Sequence, residues 1–420
     1  MKGKQMELVD ELNRTIKLAL DEGRASSLAE AQALFEGFRL QIAVGDGFTG
    51  SPAAEAAVLT LLAAAVKTFL GGVELVGAVD ERCTLAWFEG RKLADVAVEA
   101  GATVGVRAGA QGAPLASIVV GRGCPAGEGF SVALTLGADG FVICPDSAAR
   151  SDPQAPAEVG VAAAGAALNE AFAHLYRGSP LAGQRRLSFR MPATAAVDGP
   201  AGTTWMVGLG HLGQAFAWTL ALSSGRARHA LRLTDFDTVT ASSLSTCLLV
   251  KGSDIGRLKV HAVGERLASL GLAVSMDAHR LNLDVDAPAQ AADRVIVAVD
   301  NIALRRSLDR LAGMPVYEGG IGSGANGFTR AQFHAFPGSR LARDVWAGED
   351  PHASQAVDIS APAYQALLKQ TGDECGTTLL AGRSIATPFV GAFAGAVLFG
   401  LALGNPVERE STWAFDLNQL

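Results

Sequence analysis

The sequence has few of the features that mark disulfide-rich, zinc-ribbon or nucleic-acid-binding proteins. Its five cysteines are odd in number and widely spaced, and no two form a C-x-x-C pair. This spacing argues against a disulfide framework and against a structural zinc, and it predicts a reducing, cytoplasmic environment. The net charge of −7 and the lack of a Lys/Arg run argue against a protein that binds nucleic acid through a basic face.

Signals for export or for membrane insertion are also missing. Acidic residues interrupt the apolar pattern of the first twenty residues, so we expect no signal peptide. Residues 384–407 are uncharged and long enough to span a bilayer. However, Thr387-Pro388 and Gly404 supply a helix start and a helix stop. We therefore expect a helix buried within the protein and no contact with a membrane.

The hydrophobic patterning divides the chain into two α/β domains, residues 1–190 and 191–420. Hydrophobic residues make up 49% of the 420 residues, enough for two cores. In the first domain we predict helices over 8–20, 28–38, 53–69 and 160–175, and strands over 73–79, 84–88, 117–121, 130–136 and 140–144. In the second, strands and helices alternate as in a doubly wound, mostly parallel sheet. The long polar segment 337–384 exceeds an ordinary connection and predicts a functional loop.

A glycine-rich turn, Gly208-Leu-Gly210-His-Leu-Gly213, lies between a predicted strand and a predicted helix. In this context the first glycine permits a tight turn, the second lets backbone approach a phosphate, and the third lets helix and strand pack closely. Asp235 ends the next strand, where it can hydrogen-bond a ribose. These features fit an NAD-dependent oxidoreductase as well as an ATP-dependent enzyme.

Further polar residues favour cleavage of ATP over redox chemistry. Asp237 follows in Asp-Phe-Asp, Lys259 opens a helix, and Asp300-Asn301 ends the fourth strand. A lysine near the phosphates stabilises charge that develops on the α-phosphoryl group, and an aspartate at a strand end can hold Mg²⁺. Hydride transfer requires neither group.

The segments GLGHLG, LTDFDTVTASSL, DIGRLK and AVDN, in this order and spacing, resemble the ThiF/MoeB and ubiquitin-activating enzyme superfamily over residues 205–417. The resemblance implies ATP- and Mg²⁺-dependent adenylation of the C-terminal glycine of a small ubiquitin-like or sulfur-carrier protein. It implies phosphate contacts from Gly208 and Gly210 and a ribose contact from Asp235. It also implies that Lys259 contacts the phosphates and that Asp300 binds Mg²⁺ or positions the acyl acceptor. Asp237, Ser243 and Asn301 are expected to lie at the nucleotide.

The sequence departs from the family pattern in two places. Ser243 and Thr246 occupy the positions of the family's Asn and Arg in S-N-L-x-R, so a triphosphate contact is lost or replaced, and Arg257 is a substitute on spacing alone. The paired zinc cysteines of the family are absent as well. A non-catalytic scaffold is therefore one alternative to an active enzyme.

Cys375 is the cysteine of the long polar segment, and its spacing to Thr387-Pro388 resembles that of the carrier-linked loop cysteine of ThiF. A thiolate that attacks an acyl-adenylate forms a thioester and releases AMP. The alternative is an incidental loop thiol. Adenylation of a small peptide remains open as a second substrate class.

The first domain contains no nucleotide fingerprint that we identify in the sequence. It is interpreted either as an inactive half of the same ancestry, which braces the active half and lends it an arginine, or as an unrelated recognition domain. Arg14 is the candidate for the lent arginine. Relatives with one active half form homodimers, so a homodimer and a self-sufficient single chain are both open, and a downstream conjugating enzyme is a further partner.

Overall fold

The computed structural model describes residues 12–105, 115–124, 129–145, 149–194, 201–283, 292–311, 313–348, 357–404 and 411–420. Two α/β units follow one another along the chain, each built on one mostly parallel sheet. The start of the helix predicted over 8–20 lies outside the described residues. The predicted boundary at 190 falls between the last strand of the first sheet and the first strand of the second.

The first unit begins with two short helices and then alternates strands with helices. Its elements are α1 (Lys17–Asp21), α2 (Leu28–Glu36), β1 (Arg39–Val44), α3 (Pro52–Ala65), β2 (Gly72–Gly77), α4 (Leu93–Ala100), β3 (Thr103–Val104), β4 (Leu115–Val120), β5 (Phe130–Leu136), β6 (Gly140–Cys144), β7 (Arg150–Ser151), α5 (Ala157–Arg177) and β8 (Leu187–Arg190). The strand order is β3-β2-β1-β4-β5-β6-β8, and β7 pairs with β5. The first five strands are parallel, whereas β6 and β8 join antiparallel.

The second unit repeats this plan. Its elements are β9 (Gly202–Val207), α6 (His211–Leu222), β10 (His229–Thr234), α7 (Ala241–Leu244), α8 (Lys259–Ala268), β11 (Ala273–Asp277), β12 (Arg294–Val297), α9 (Ile302–Arg306), β13 (Val316–Ile321), β14 (Arg330–Phe336), α10 (Ala342–Val345), α11 (Pro362–Thr371), α12 (Glu374–Gly382), α13 (Pro388–Leu403) and β15 (Thr412–Asp416). The order β11-β10-β9-β12-β13 is parallel, and β14 and β15 join antiparallel.

The two sheets therefore share one topology, with five parallel strands followed by two antiparallel ones. In each unit a long helix, α5 or α13, precedes the last strand of the sheet. This agreement confirms the predicted fold class, including the expectation that the first unit is an α/β domain of the same type as the second.

The two units pack against each other through their helices. Helix α13 contacts α5 and α6, and α5 contacts α3. All sixteen residues of α13 are buried, as predicted for an uncharged helix inside the protein. Small residues permit this packing, because a Cβ on Gly165 of α5 would lie 2.5 Å from the carbonyl oxygen of Phe389. In the described part of the chain, no helix is both long and apolar enough to cross a membrane.

Two differences from the predicted elements of the first unit bear on its sheet. Residues 86–88 form a 3₁₀ turn where we predicted a strand over 84–88. The strand β1 was missed, although it lies inside its sheet, between β2 and β4. Its sequence, RLQIAV, opens with Arg39, which is neutralised by a buried ion pair with Glu74 that the sequence alone does not reveal.

Candidate active site

The three glycines of the turn after β9 have different structural roles. Gly208 has φ of +91°, and a Cβ on it would lie 2.6 Å from the carbonyl oxygen of Ala298. A Cβ on Gly213 would lie 2.0 Å from the carbonyl oxygen of Gly208. By contrast, a Cβ on Gly210 would have no neighbour within 4 Å. The fold thus requires Gly208 and Gly213, whereas Gly210 leaves space in front of the first turn of α6, where backbone N–H groups favour an anion.

Asp235, directly after β10, ties this turn to the neighbouring strand. Its carboxylate accepts the backbone N–H of Leu209 at 2.5 Å and that of Asp237 at 2.8 Å. The side chain is buried, and this burial raises the pKa of Asp235, although the two backbone hydrogen bonds and Lys259 oppose the effect. Since one N–H occupies each oxygen, further lone pairs remain for ribose hydroxyls.

Lys259 begins α8 and points back toward the end of β10. Its Nζ lies 3.0 Å from Oδ2 of Asp237, and its backbone N–H donates to the carbonyl of Asp237 at 2.8 Å. A bridge between Thr238 and Leu258 fixes the start of the helix beside the strand end. The lysine is 13% exposed and Asp237 is 51% exposed. These contacts hold the ammonium group of Lys259 beside Asp237, where its charge also acts on Asp235.

Asp300 and Asn301 follow β12 on the other side of the glycine turn. The Asn301 side chain caps α9 by accepting the backbone N–H of Leu304 at 2.9 Å. The Asp300 side chain is exposed, and among the described residues nothing donates a hydrogen bond to its carboxylate or forms an ion pair with it. Its oxygens are therefore available to a cation.

A cleft of about 770 Å³ lies at the carboxyl edge of the second sheet and brings these groups together. It is lined by seven of the eleven predicted site residues: Gly208, Gly210, Asp235, Asp237, Lys259, Asp300 and Asn301. Six cationic side chains also face it, Arg14, Lys259, Arg280, Arg305, Arg310 and Arg383, against the three carboxylates. An excess of positive charge in a concave site suits a polyanionic ligand.

Four predicted residues do not line the cleft. Gly213 is part of the packing under the turn, as described above. The Ser243 hydroxyl instead accepts the backbone N–H of Thr240 in the cap of α7. Arg257 lies outside the cleft because its guanidinium is paired with Asp254 at 2.9 Å and Glu265 at 2.6 Å. The spacing in the sequence suggested that Arg257 replaces the missing family arginine at the nucleotide. The geometry gives no support to that role, because the guanidinium is paired outside the cleft.

Cys375 is the second residue of α12, and the structure does not bring it to the cleft. The thiol is exposed. The segment 337–384, predicted as a loop, contains helices α10, α11 and α12, so Cys375 lies on a helix rather than in an irregular loop. The end of the same segment does reach the cleft, where Arg383 and Ser384 form part of the lining.

Arg14 reaches the cleft of the second unit from the first. Its Nε donates to the carbonyl of Ser384 at 3.0 Å, and its backbone N–H donates to the Ser245 hydroxyl at 3.2 Å. Burial lowers the pKa of Arg14, Arg383 lowers it further, and the Asp300 carboxylate opposes the effect. The first unit thus contributes a guanidinium to the lining of the cleft.

Two residues to which the sequence analysis assigned no role, His211 and Arg305, also line the cleft. His211 packs Nε2 against Gly391 of α13, and burial lowers the pKa of His211 to about 3, so the imidazole is neutral near pH 7. Arg305 is buried and forms an ion pair with Glu318 at 3.0 Å. Glu318 carries no signal in the sequence, because a lone carboxylate within a strand acquires its partner only through the sheet.

The first unit contains a second glycine turn that sequence analysis overlooked. Gly45-Asp-Gly47-Phe-Thr-Gly50 joins β1 to α3, as the first turn joins β9 to α6. A carboxylate of this chain, Glu81, accepts the backbone N–H of Gly47 at 2.7 Å and the Thr49 hydroxyl at 3.2 Å. The signal was present as a G-x-G-x-x-G spacing, but it was hidden because β1 had not been identified as a strand.

The strand registers show which groups the first unit lacks. Val44 aligns with Gly77 and Val120, as Val207 aligns with Thr234 and Val297. In the first unit, the residue directly after Gly77 is Ala78, and the third residue after Val120 is Gly123. Their counterparts in the second unit are Asp235 and Asp300. The first unit thus has the turn without the two carboxylates.

Comparison with known proteins identifies relatives over both units. A family described as "BilD C-terminal domain" matches residues 201–405, and one described as "BilD N-terminal domain" matches residues 39–191. The bacterial E1-like protein BilD of Collimonas sp. (strain OK412) is 32% identical over 411 residues, which cover 91% of this chain and 86% of that protein.

Among solved structures, E. coli MccB crystallised with ATP is 13% identical, with a TM-score of 0.33 over 51% of this chain and 64% of that one. E. coli MccB with AMPCPP and MccA is 14% identical, with a TM-score of 0.32 over the same shares. This chain therefore spans less than two thirds of the length of MccB.

Proposed function

The chain belongs to the BilD family of bacterial E1-like proteins, and on that premise we propose that it adenylates the C-terminal carboxylate of a small protein partner at the expense of ATP. The observation that carries the proposal is the convergence of Lys259 and Asp300 on one cleft beside the open glycine Gly210. A site that only holds a dinucleotide has no need for a lysine and a metal-binding carboxylate on either side of the phosphate position.

The residues present fit Mg²⁺·ATP. The first turn of α6 offers backbone N–H groups to a phosphate, and Asp235 has free lone pairs for the ribose. Asp300 is exposed in the cleft, with no hydrogen bond to its carboxylate and no ion pair among the described residues, and carboxylate oxygens are the ligands that Mg²⁺ prefers. Mg²⁺ held there neutralises charge on the phosphates.

In the first step, a carboxylate oxygen of the partner's C-terminus attacks the α-phosphorus of ATP. The new P–O bond gives an acyl-adenylate, and the bond to the β-phosphate breaks so that pyrophosphate leaves with its electron pair. Lys259 and Arg14 stabilise the negative charge that develops on the phosphoryl oxygens. We assign to Arg14 the positive charge that the family supplies from the position of Thr246.

We further propose that the acyl group then passes to Cys375. The thiolate attacks the acyl carbonyl, a thioester forms, AMP leaves, and the thiol proton is released to solvent. Because Cys375 lies outside the cleft lining, this step requires helix α12 to approach the cleft. Arg383 and Ser384, which join α12 to α13, link such a movement to the cleft and to Arg14.

Nucleotide binding and exchange of pyrophosphate test the proposal. AMPCPP, which cannot be cleaved between the α and β phosphates, should bind in the presence of Mg²⁺, and NAD should not displace it. With a ubiquitin-like protein ending in glycine as probe, the chain should exchange labelled pyrophosphate into ATP. Lys259→Ala and Asp300→Ala should each slow this exchange by about 100-fold or more.

The outcomes separate the alternatives. Displacement of AMPCPP by NAD would favour the oxidoreductase, and exchange that persists in both variants would refute the site. Exchange with a short peptide ending in a free carboxylate, but not with the folded protein, would assign the chain to the peptide-modifying class. No binding of either nucleotide would identify a scaffold.

A further inference from the structure

A buried ionic cluster lies under the loop that carries Asp300. Glu318 of β13 is 0% exposed, Arg305 of α9 is 9% exposed, and Nε of Arg305 lies 3.0 Å from Oε1 of Glu318. Removal of two charges from water is costly, and a buried pair adds little net stability compared with apolar residues. The cluster therefore calls for an explanation other than the stability of the core.

The guanidinium of Arg305 connects the cluster to the loop. Its Nε donates to the carbonyl of Val299 at 2.8 Å, and Val299 directly precedes Asp300. The guanidinium also lies 4.7 Å from the ring centre of Trp346, at the end of α10, which covers it on one side. Arg305 thus cross-links the end of β12 to the neighbouring strand β13.

Glu318 is held in turn by the next strand. Its Oε2 lies 2.7 Å from Nδ1 of His334, which is 3% exposed. Oε1 forms no hydrogen bond among the described residues, so its interaction is the ion pair with Arg305. His334 therefore fixes the carboxylate in the orientation that directs Oε1 at the guanidinium.

The consequence concerns the direction in which Asp300 points. Because no hydrogen bond or ion pair with the described residues holds its carboxylate, the backbone of residues 299–301 sets that direction. Asn301 fixes this backbone on one side through the cap of α9, and Arg305 fixes it on the other through Val299. Resting on the proposed function, we propose that Glu318 and His334 are positioning residues, which act through Arg305 to aim Asp300 at the metal of the nucleotide.

The test compares two buried ion pairs of the same chemistry. Glu318→Gln keeps the shape of the side chain and removes the charge that Arg305 needs. Glu74→Gln is the matched control, because Glu74 pairs with Arg39 between β1 and β2 of the first unit, with both side chains buried and outside the cleft. The affinity of each variant for AMPCPP is measured by calorimetry with Mg²⁺ and again with EDTA.

We expect the wild-type chain to bind AMPCPP more tightly with Mg²⁺ than with EDTA. Glu318→Gln should lose about tenfold or more of this Mg²⁺-dependent gain and keep its affinity in EDTA, as expected when the support of a metal ligand is removed. Glu74→Gln should keep both affinities, although the unfolding temperature should fall in both variants. If Glu318→Gln fails to fold, His334→Leu is tested instead, because it removes the hydrogen bond to Glu318 and leaves the carboxylate in place. His334→Asn, which keeps a hydrogen-bond donor, should then recover most of the Mg²⁺-dependent gain in affinity that His334→Leu loses.

The results distinguish this inference from the proposed function. A Mg²⁺-dependent gain that survives in Glu318→Gln and His334→Leu overturns the positioning role and leaves the adenylation site intact. The positioning role is also overturned if Glu74→Gln loses the Mg²⁺-dependent gain in affinity, since general destabilisation then explains the loss in Glu318→Gln. A wild-type chain that binds no nucleotide, or binds it without help from Mg²⁺, overturns the proposed function and this inference together.

Discussion

Substitution of Gly210 by alanine separates the binding role of the glycine turn from its structural role. The added methyl group meets nothing within 4 Å, and the φ of −76° suits an L-residue. At this N-cap position alanine is less favourable than glycine, but it reduces the entropy of the unfolded chain, and the two effects leave the free energy of unfolding within about 1 kcal/mol of wild type. The folded structure should therefore be preserved.

Nucleotide binding should respond very differently. The methyl group would stand where a phosphate approaches the first turn of α6, and loss of one hydrogen bond to a charged group costs about 1.5–3 kcal/mol. Converted to affinity, this is a weakening of about 10- to 150-fold. Calorimetry with Mg²⁺·AMPCPP measures the affinity, and thermal unfolding measures the stability of the same preparation.

Gly213→Ala is the matched control at the other end of the turn. Its Cβ would lie 2.0 Å from the carbonyl oxygen of Gly208, so backbone must move, and such overpacking costs about 1–3 kcal/mol of stability. We expect this variant to unfold at a lower temperature than Gly210→Ala. Wild-type affinity in a folded Gly210→Ala chain would show that no phosphate lies against the turn and would remove the basis for the nucleotide site.

Four further predictions follow from the geometry of the two units. Arg14→Ala should lower the rate of pyrophosphate exchange by about tenfold or more, and Arg14→Lys should recover part of the rate because it restores the positive charge. Equal rates in wild type and in both variants would contradict a role for the first unit in the site. Calorimetry should give one AMPCPP per chain, because Glu81 already occupies the glycine turn of the first unit at Gly47. Two AMPCPP per chain would show that this turn binds nucleotide. Cys375→Ala should retain exchange and lose any thiol-sensitive adduct with the partner, whereas an adduct in that variant would dismiss Cys375. Burial lowers the pKa of Lys67 to about 8 from 10.5, so between these pH values the unfolded chain binds more protons than the folded chain. Lys67 should therefore make the free energy of unfolding rise with pH in this range. Denaturant titrations should show this rise in wild type and not in Lys67→Met, and parallel curves of free energy against pH for the two chains would refute it.

Local sequence patterns were sufficient for most of the second unit. A strand, a glycine turn and a helix read in succession placed Gly208 and Gly210 at the carboxyl edge of a parallel sheet, and Asp235 and Asp300 followed as the residues that end neighbouring strands. These predictions depend on short-range patterns and on the rule that parallel strands end at the same edge. The predicted positions agree with the structure because each of these residues is positioned by the strand or turn that contains it.

Residues positioned by distant contacts could not be assigned in the same way. Arg257 has the spacing in the sequence that a phosphate-binding arginine would need. However, its guanidinium pairs with Asp254 and Glu265 and does not line the cleft. Arg305 resembles a surface residue until Glu318, on another strand, neutralises it in the core. Neither ion pair has a signature in the sequence, since each depends on where a second element packs.

By itself, the sequence determined the chemistry available to this protein: a glycine turn whose backbone a phosphate can approach at Gly210, a lysine at the start of one helix and carboxylates at the ends of two strands. Only the tertiary structure decided which of these groups share a cleft, that Arg14 of the first unit joins them, and that Cys375 stays outside. The physical reason is the range of the forces involved. Backbone conformation and amphipathic patterning act over a few residues, whereas ion pairs and helix packing join residues hundreds of positions apart, as between Arg14 and Ser384.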